Sequence, residues 1–261
     1  MESRIAAYNE FQSIRRHLSR NEVVKRVSTR HGISKTTVYQ WFRGGGPIGR
    51  RAGTIARVPE LLYVLGALLG DGCLYHWRNR FQVWLVGEAE FTEKYANKLS
   101  VCLGRNVKHY KYGSKNAWFV RIDNSELFFL FRSVRNDHAS IGKLADEIDS
   151  RRGRMEFIEG VFDAEGCVKI IRGKGRKTPK TCLDICNTDL DLLLIVMEAM
   201  RTSLGIESRI STQSATPGRK RCYHLRVYSK AGVQRFLGTL HTTKLTKQKQ
   251  AIVEMWLAKK G

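Results

Sequence analysis

The feature that most constrains the fold of this chain is an internal repeat. The segment LGALLGDGC at residues 65–73 is matched by EGVFDAEGC at residues 159–167. Two shorter pairs follow in the same order: LG at 103–104 and 204–205, and VRI at 120–122 with LRV at 225–227. The spacing between the copies grows only at two stretches that read as hairpin loops, residues 173–180 and 215–221. The sequence therefore predicts a duplicated folding unit.

Hydrophobic periodicity predicts the same order of elements in each copy: a helix, two strands, a helix, two strands and a helix. In the first copy these elements cover about 60–71, 73–77, 80–86, 89–103, 106–112, 116–122 and 125–134. In the second they cover about 154–165, 167–172, 181–187, 189–204, 206–213, 222–228 and 230–240. The expected fold class is α+β, with two pseudo-symmetric αββαββα halves and four-stranded antiparallel sheets.

Small residues mark one face of the first helix in each copy. Gly66 and Gly70 are four positions apart, as are Gly160 and Ala164. Residues four apart lie on the same side of a helix, and small side chains there let two helix backbones approach closely. These four residues are the predicted interface between the two helices.

A carboxylic acid ends each of these helices. Asp71 and Glu165 occupy equivalent positions, and Gly72 and Gly166 follow them, where each glycine is expected to stop the helix in a left-handed conformation. If the helices pack through their small faces, the two carboxylates meet at one end and repel each other unless a cation is present. Hard oxygen ligands of this kind suit Mg²⁺ and metal-assisted hydrolysis of phosphodiesters.

At this motif the sequence resembles the LAGLIDADG homing endonucleases of the single-chain, two-motif type. The nine-residue motif falls on Val64–Gly72 and Ile158–Gly166, and the resemblance covers about 200 residues. It implies two sheets that form a DNA-binding saddle, and Mg²⁺, or Mn²⁺ in its place, bound by Asp71, Glu165 and the chain at Gly70 and Ala164.

The same resemblance implies a site-specific enzyme that cuts both strands of DNA. Each motif acid would serve one strand and leave short 3′ overhangs. The target would be a long pseudo-palindromic duplex and the enzyme a monomer. Lys230 is the candidate for the basic residue that assists catalysis.

The N-terminal segment predicts a second DNA-binding element. Val27, Val38 and Trp41 fall where a helix-turn-helix buries its two helices, Gly32 can form the tight turn, and Ser34 can cap the second helix. The polar residues of that helix would face the major groove. These are Lys35, Thr36, Thr37, Gln40 and Arg43.

The net charge of the chain also indicates a nucleic-acid partner. The chain has 46 Lys and Arg residues against 24 Asp and Glu, a net charge of +22 that is spread along the sequence. Such an excess favours a polyanionic partner, most simply nucleic acid. The predicted strand residues for DNA contact are Gln82, Arg121, Lys169, Arg172, Arg209 and Arg226.

These observations divide the chain into four parts. Residues 1–45 are the predicted helix-turn-helix domain, 46–58 a basic glycine-rich linker, 59–150 the first repeat and 151–261 the second. The six cysteines show no CxxC pair and no matching His cluster, so neither a zinc site nor a disulfide framework is indicated. With no apolar run long enough to cross a membrane and no secretion signal, the expected location is the cytoplasm of an archaeon or bacterium, or an organelle.

Two other functions fit parts of this pattern. A DNA-binding regulator of the same fold would bind without cutting, although two acids beside a polyanion are costly unless a metal uses them. An RNA maturase that helps an intron fold would need the basic surface and not the acids.

Overall fold

A computed structural model describes residues 2–44, 54–78, 80–113, 116–171, 180–213 and 220–258. The chain divides into two compact units, and their boundaries do not follow those of the repeats. One unit holds residues 1–54, 74–83 and 122–129; the other holds 55–73, 84–121 and 130–261. No helix in the described ranges is long and apolar enough to cross a membrane.

Three N-terminal helices form a small bundle in the first unit: α1 (Glu2–Ile14), α2 (Arg20–His31) and α3 (Lys35–Phe42). Ser19 and Glu22 form a capping box at the start of α2. Gly32 follows α2 with φ 64°, the left-handed conformation expected for the tight turn. The Ser34 hydroxyl caps α3 by accepting from the Thr37 amide at 3.3 Å. The core of the bundle consists of Ala7, Phe11, Val23, Val24, Val27, Val38 and Trp41.

The same unit also contains parts of the first repeat. His76 stacks on Phe81 with ring centroids 4.6 Å apart, and Phe128 meets Phe81 edge to face at 5.3 Å. These aromatic contacts form a separate small cluster at the ends of two strands.

The repeats each contain the predicted seven elements, which confirms the expected fold class. In the first repeat they are α4 (Pro59–Asp71), β1 (Gly72–Trp77), β2 (Arg80–Gly87), α5 (Ala89–Leu103), β3 (Tyr110–Lys111), β4 (Trp118–Asp123) and α6 (Ser125–Asn136). After α7 (Ser140–Ile148), the second repeat follows as α8 (Ser150–Glu165), β5 (Gly166–Ile171), β6 (Lys180–Asn187), α9 (Leu190–Ala199), β7 (Arg209–Gln213), β8 (Cys222–Val227) and α10 (Lys230–Thr239), and the chain continues to α11 (Lys247–Ala258).

The two sheets share one topology. Their strand orders are β1-β2-β4-β3 and β5-β6-β8-β7, and the pairing is antiparallel. In the second sheet Asp184 lies opposite both Cys167 and Arg226, and Arg209 lies opposite Arg226. One face of this sheet is therefore polar, while Val168, Leu183, Ile185, Leu225 and Val227 on the other face are buried.

Several sequence-based boundaries were wrong. β3 is only two residues long, and β7 begins at Arg209 and not at 206. The helix predicted over 189–204 ends its α-helical part at Ala199 and continues as a π-helical turn from Met200 to Leu204. The helices α7 and α11 have no counterpart in the repeat pattern and were not predicted.

The predicted linker is only partly described. Residues 45–53 lie outside the described ranges. Beyond them, Ile55 is 3% exposed and the Ala56 amide donates to the Cys102 carbonyl at 2.8 Å. The end of the predicted linker is thus packed into the second unit.

Candidate active site

The centre of the second unit is a tight pair of helices, α4 and α8. A Cβ atom on Gly66 would lie 2.6 Å from the Phe157 carbonyl oxygen, and one on Gly160 would collide with the Tyr63 carbonyl oxygen. Because these neighbours are backbone atoms, neither can move aside without separating the helices. The two glycines therefore permit the close approach of the helices.

The close approach continues to the helix ends. A Cβ atom on Gly70 would lie 2.5 Å from the Ala164 Cβ and 2.9 Å from the Glu165 Cγ. Gly70 and Ala164 thus face each other one residue before the two acids. Asp71 and Glu165 consequently emerge at the same end of the helix pair.

The glycines after the acids do not adopt the predicted left-handed conformation. Gly72 has φ −83° and Gly166 has φ −84°, so both are extended and each is the first residue of a strand. A Cβ atom at Gly72 would collide with the Leu68 carbonyl oxygen, and one at Gly166 with that of Phe162. Glycine is required here because the chain turns directly from helix to strand against the preceding helical turn, and not because φ is positive.

The two carboxyl groups interact electrostatically. Desolvation at the end of the helix pair raises the pKa of Asp71, although one side of this residue remains exposed. Desolvation also raises the pKa of the half-buried Glu165, and the negative charge of Asp71 raises it further. The positive charge of Lys244 acts in the opposite direction on the pKa of both acids. The Asn187 side-chain amide donates to Glu165 Oε1 at 3.2 Å.

Lys244 is held near this site by a buried acid of α8. Asp163 is 0% exposed and accepts from the Thr243 amide at 2.8 Å and from the Thr242 hydroxyl at 2.7 Å. Lys94 Nζ lies 2.6 Å from the Asp163 carboxylate. The segment just before Lys244 is therefore tied to the motif helix.

Sequence reasoning did not find Lys244. It named Lys230, which is the first residue of α10, whereas the lysine whose charge lowers the pKa of both acids is Lys244. Lys244 lies after α10, the last element that the two repeats share, so repeat matching gives no signal for it.

The predicted sheet residues differ in their surroundings. The Arg121 guanidinium lies 5.0 Å from the centroid of the Trp84 ring, and Arg209 is exposed. Arg226 Nε donates to Asp184 at 3.0 Å, and Lys169 also binds that carboxylate. Arg209, Arg226 and Lys169 lie on the polar face of the second sheet.

Two other residues that were predicted to contact DNA are buried or lie outside the described part of the chain. Gln82 is buried, with 9% of its surface exposed, so in this conformation it offers little surface to a ligand. Arg172 lies outside the described residues.

The predicted groove-facing residues of α3 are divided by exposure. Lys35, Thr36 and Arg43 are exposed, whereas Thr37 and Gln40 are half-buried. The Thr37 hydroxyl is 2.8 Å from that of Ser34, so it participates in the helix cap.

The spacing of the six cysteines along the sequence indicated no zinc site, but the fold brings two of them to one histidine. The side chains of Cys186, Cys222 and His224 converge on the polar face of the second sheet. Cys222 and Cys186 are far apart in sequence, and only the pairing of β6 with β8 brings them together.

Comparison with known proteins agrees with this architecture. Residues 153–241 match the model of the LAGLIDADG-like domain. The match spans the second repeat, from most of α8 through α10. The comparison with curated protein sequences gives no significant match.

Solved structures of this fold resemble the chain over most of its length. The structure of I-DmoI in complex with DNA and Ca has 21% sequence identity and a TM-score of 0.51, with 75% of this chain and 97% of that chain covered. The complex of I-DmoI with DNA and Mn has 22% identity and a TM-score of 0.50, with 71% and 97% covered. The N-terminal LAGLIDADG domain of WhiA has 14% identity and a TM-score of 0.49, with 77% and 89% covered.

Proposed function

We propose that this protein is a homing endonuclease, a site-specific enzyme that cuts both strands of duplex DNA with a divalent metal. The observation that carries the proposal is the pair Asp71 and Glu165, which equivalent helices bring to one end of a tight interface. Desolvation raises the pKa of both acids, and the charge of Asp71 raises that of Glu165 further, so a bound cation would favour their ionised forms. I-DmoI, which is similar in fold and was solved in complex with DNA and Mn or Ca, lends support to this proposal.

The donor set fits a hard divalent cation. Asp71 and Glu165 would supply carboxylate oxygens, and the last carbonyl groups of a helix, here near Gly70 and Ala164, have no partner within the helix. Mg²⁺ bound there, or Mn²⁺ in its place, would activate water and stabilise the leaving oxygen of the phosphodiester.

The protein's own residues have distinct tasks in this proposal. Asp71 and Glu165 each serve one strand, and Asn187 fixes the Glu165 carboxylate by its hydrogen bond. Lys244 contributes a positive charge that favours the ionised acids and attracts the DNA phosphate. Because Asp163 ties the preceding residues to α8, Lys244 stays in place when the metal is absent.

Duplex DNA would lie along the polar sheet faces. Arg121, Arg209, Arg226 and Lys169 would provide positive charge and hydrogen-bond donors to phosphates and base edges. Because the two repeats are related by duplication, each would contact one half of a long pseudo-palindromic target. The exposed residues of α3, Lys35, Thr36 and Arg43, would add a further contact in the major groove.

The test is to map DNA ends. Purified protein is incubated with Mg²⁺ and a pool of duplex DNA, and the ends are sequenced for the wild type and for Asp71→Asn. Glu207→Gln, which removes an exposed acid elsewhere, is the control. We expect discrete double-strand breaks with short 3′ overhangs from the wild type and the control only. Sequence-selective binding with no ends above background would reject the nuclease and favour a DNA-binding regulator.

A further inference from the structure

Two cysteines and a histidine converge on the polar face of the second sheet. Cys186 lies directly opposite His224 in the pairing of β6 with β8, and Cys222 lies two residues before His224 on the same face. One ligand atom from each of the three side chains falls within 4.8 Å of the others, and Cys186 Sγ is 3.8 Å from His224 Nε2. Cys186 and Cys222 are half-buried and His224 is buried.

The distance between Cys186 and His224 is close to that of a tetrahedral metal site. Zinc binds sulfur at about 2.3 Å and imidazole nitrogen at about 2.0 to 2.1 Å, which places the two donor atoms about 3.6 Å apart at a tetrahedral angle. The observed separation of 3.8 Å between Cys186 Sγ and His224 Nε2 differs from this by a few tenths of an ångström. The donor atom of Cys222 lies within 4.8 Å of the other two and would have to move closer to complete the site.

The surroundings of His224 provide independent support for a metal ion at this cluster. Its Nδ1 lies 3.1 Å from both carboxylate oxygens of Asp184, which is 1% exposed. The carboxylate accepts a hydrogen bond from Nδ1–H, which leaves the lone pair on Nε2 free to bind a metal, as in histidines that ligate metals. Gln213 Oε1 is 3.1 Å from the same Nε2. Two electron-pair donors in contact repel unless a cation or a second ring proton lies between them.

We propose that Cys186, Cys222 and His224 bind one thiophilic divalent ion, Zn²⁺, with Gln213 Oε1 as the nearest fourth donor. Both thiols lose their protons to solvent as the ion binds, which leaves two thiolates, a neutral imidazole and no net charge on the core of the complex. Soft sulfur ligands separate this site from the oxygen site at Asp71 and Glu165, which suits Mg²⁺.

Bound zinc would join the ends of three neighbouring strands. Cys186 belongs to β6, Cys222 and His224 belong to β8, and Gln213 ends β7. Arg209 and Arg226 project from these strands on the same face. The ion would therefore fix the part of the sheet that presents these arginines.

The test measures metal binding directly in the full-length protein. Protein is stripped with a chelator, titrated with Co²⁺ and then with Zn²⁺, and assayed for metal by mass spectrometry. We expect about one equivalent per chain, the visible bands of tetrahedral Co²⁺, and a sulfur-to-cobalt charge-transfer band. Cys186→Ser and Cys222→Ser should lose that band, while Cys73→Ser, a cysteine outside the cluster, should retain it.

A second variant separates metal binding from folding. Asp184→Asn keeps all three ligands but removes the carboxylate that orients His224, so zinc affinity should fall about 10- to 100-fold. Asp71→Asn should leave zinc affinity unchanged, which makes the result independent of nuclease activity. A folded wild-type protein that binds no Co²⁺ or Zn²⁺ with all six thiols reduced would overturn the proposal, and so would a Cys186–Cys222 disulfide in the freshly isolated protein.

Discussion

The close approach of α4 and α8 predicts a specific response to one added methyl group at Gly160. In Gly160→Ala the new Cβ would collide with the Tyr63 carbonyl oxygen and would lie 3.0 Å from the Ala67 amide nitrogen. Both neighbours are backbone atoms of α4, so relief requires the two helices to separate. Overpacking of a core costs about 1 to 3 kcal/mol, and the rigid neighbours place this site at the upper end.

Helix propensity acts in the opposite direction. Alanine is better than glycine within a helix by about 1 kcal/mol, so the net loss of stability should be about 2 kcal/mol. For a chain of this size the melting temperature should fall by about 4 to 8 °C. The assay is thermal unfolding followed by circular dichroism, in a chelator so that metal binding does not contribute.

Gly142→Ala is the matched control. Gly142 lies in α7, and beyond its chain neighbours and its own helix backbone no heavy atom of the described residues is within 4 Å of the position that its Cβ would take. This variant should gain up to about 1 kcal/mol from helix propensity. If Gly160→Ala melted at or above the wild-type temperature while Gly142→Ala behaved as expected, the argument that glycine permits the helix contact would be refuted.

Three further predictions concern the candidate active site. Lys244→Met should raise the pKa of both motif acids and shift the acidic limb of the pH–rate profile to higher pH. It should also reduce cleavage about 100-fold. An equal or larger loss of cleavage in Lys230→Met would show that Lys230, and not Lys244, is the basic residue of the site. Glu165→Gln should stabilise the metal-free protein at neutral pH. The reason is that a folded-state pKa raised above the unfolded value of about 4.3 makes ionisation of Glu165 oppose folding. In urea titrations this gain in stability should disappear below pH 4, and a gain that persists there would contradict its electrostatic origin. Asp163→Asn should lose about 2 to 4 kcal/mol in urea unfolding, since Asp163 is fully buried and paired with Lys94, and a loss below 1 kcal/mol would argue against that network.

Sequence reasoning was most successful where the two copies could be compared. The matching positions of Gly66 and Gly160 predicted a close helix pair, and both glycines lie where the helices meet. The α+β class and the order of the seven repeated elements were also predictable, because strand and helix periodicities occur twice. A duplicated pattern gives two independent readings of each element.

What could not be predicted depends on contacts between distant segments. Lys244 belongs to the connection between α10 and α11, and the hydrogen bonds of Glu159 and Asp163 hold that connection beside the motif helices. Asp163 stands where the first repeat has Leu69, so the two copies do not match at this position. A single unmatched residue carries no periodic signal.

The Cys–His cluster was missed for the same reason. Cys222 and His224 are two positions apart on one strand, which places them on one face, but Cys186 joins them only through the register of β6 with β8. Motif spacing along the chain cannot reveal a ligand supplied by a neighbouring strand. The left-handed conformation expected at Gly72 and Gly166 was wrong because glycine serves close approach as well as positive φ.

The most direct test of the central claim is strand-specific cleavage. A duplex that carries the mapped target, with a different label on each strand, is incubated with Mg²⁺ and the wild type, Asp71→Asn, Glu165→Gln or the double variant. We expect the wild type to cut both strands, the double variant to bind without cutting, and the two single variants to show the largest loss on opposite strands. Equal cleavage of both strands by the double variant would contradict the assignment of Asp71 and Glu165 as the paired acids of the active site.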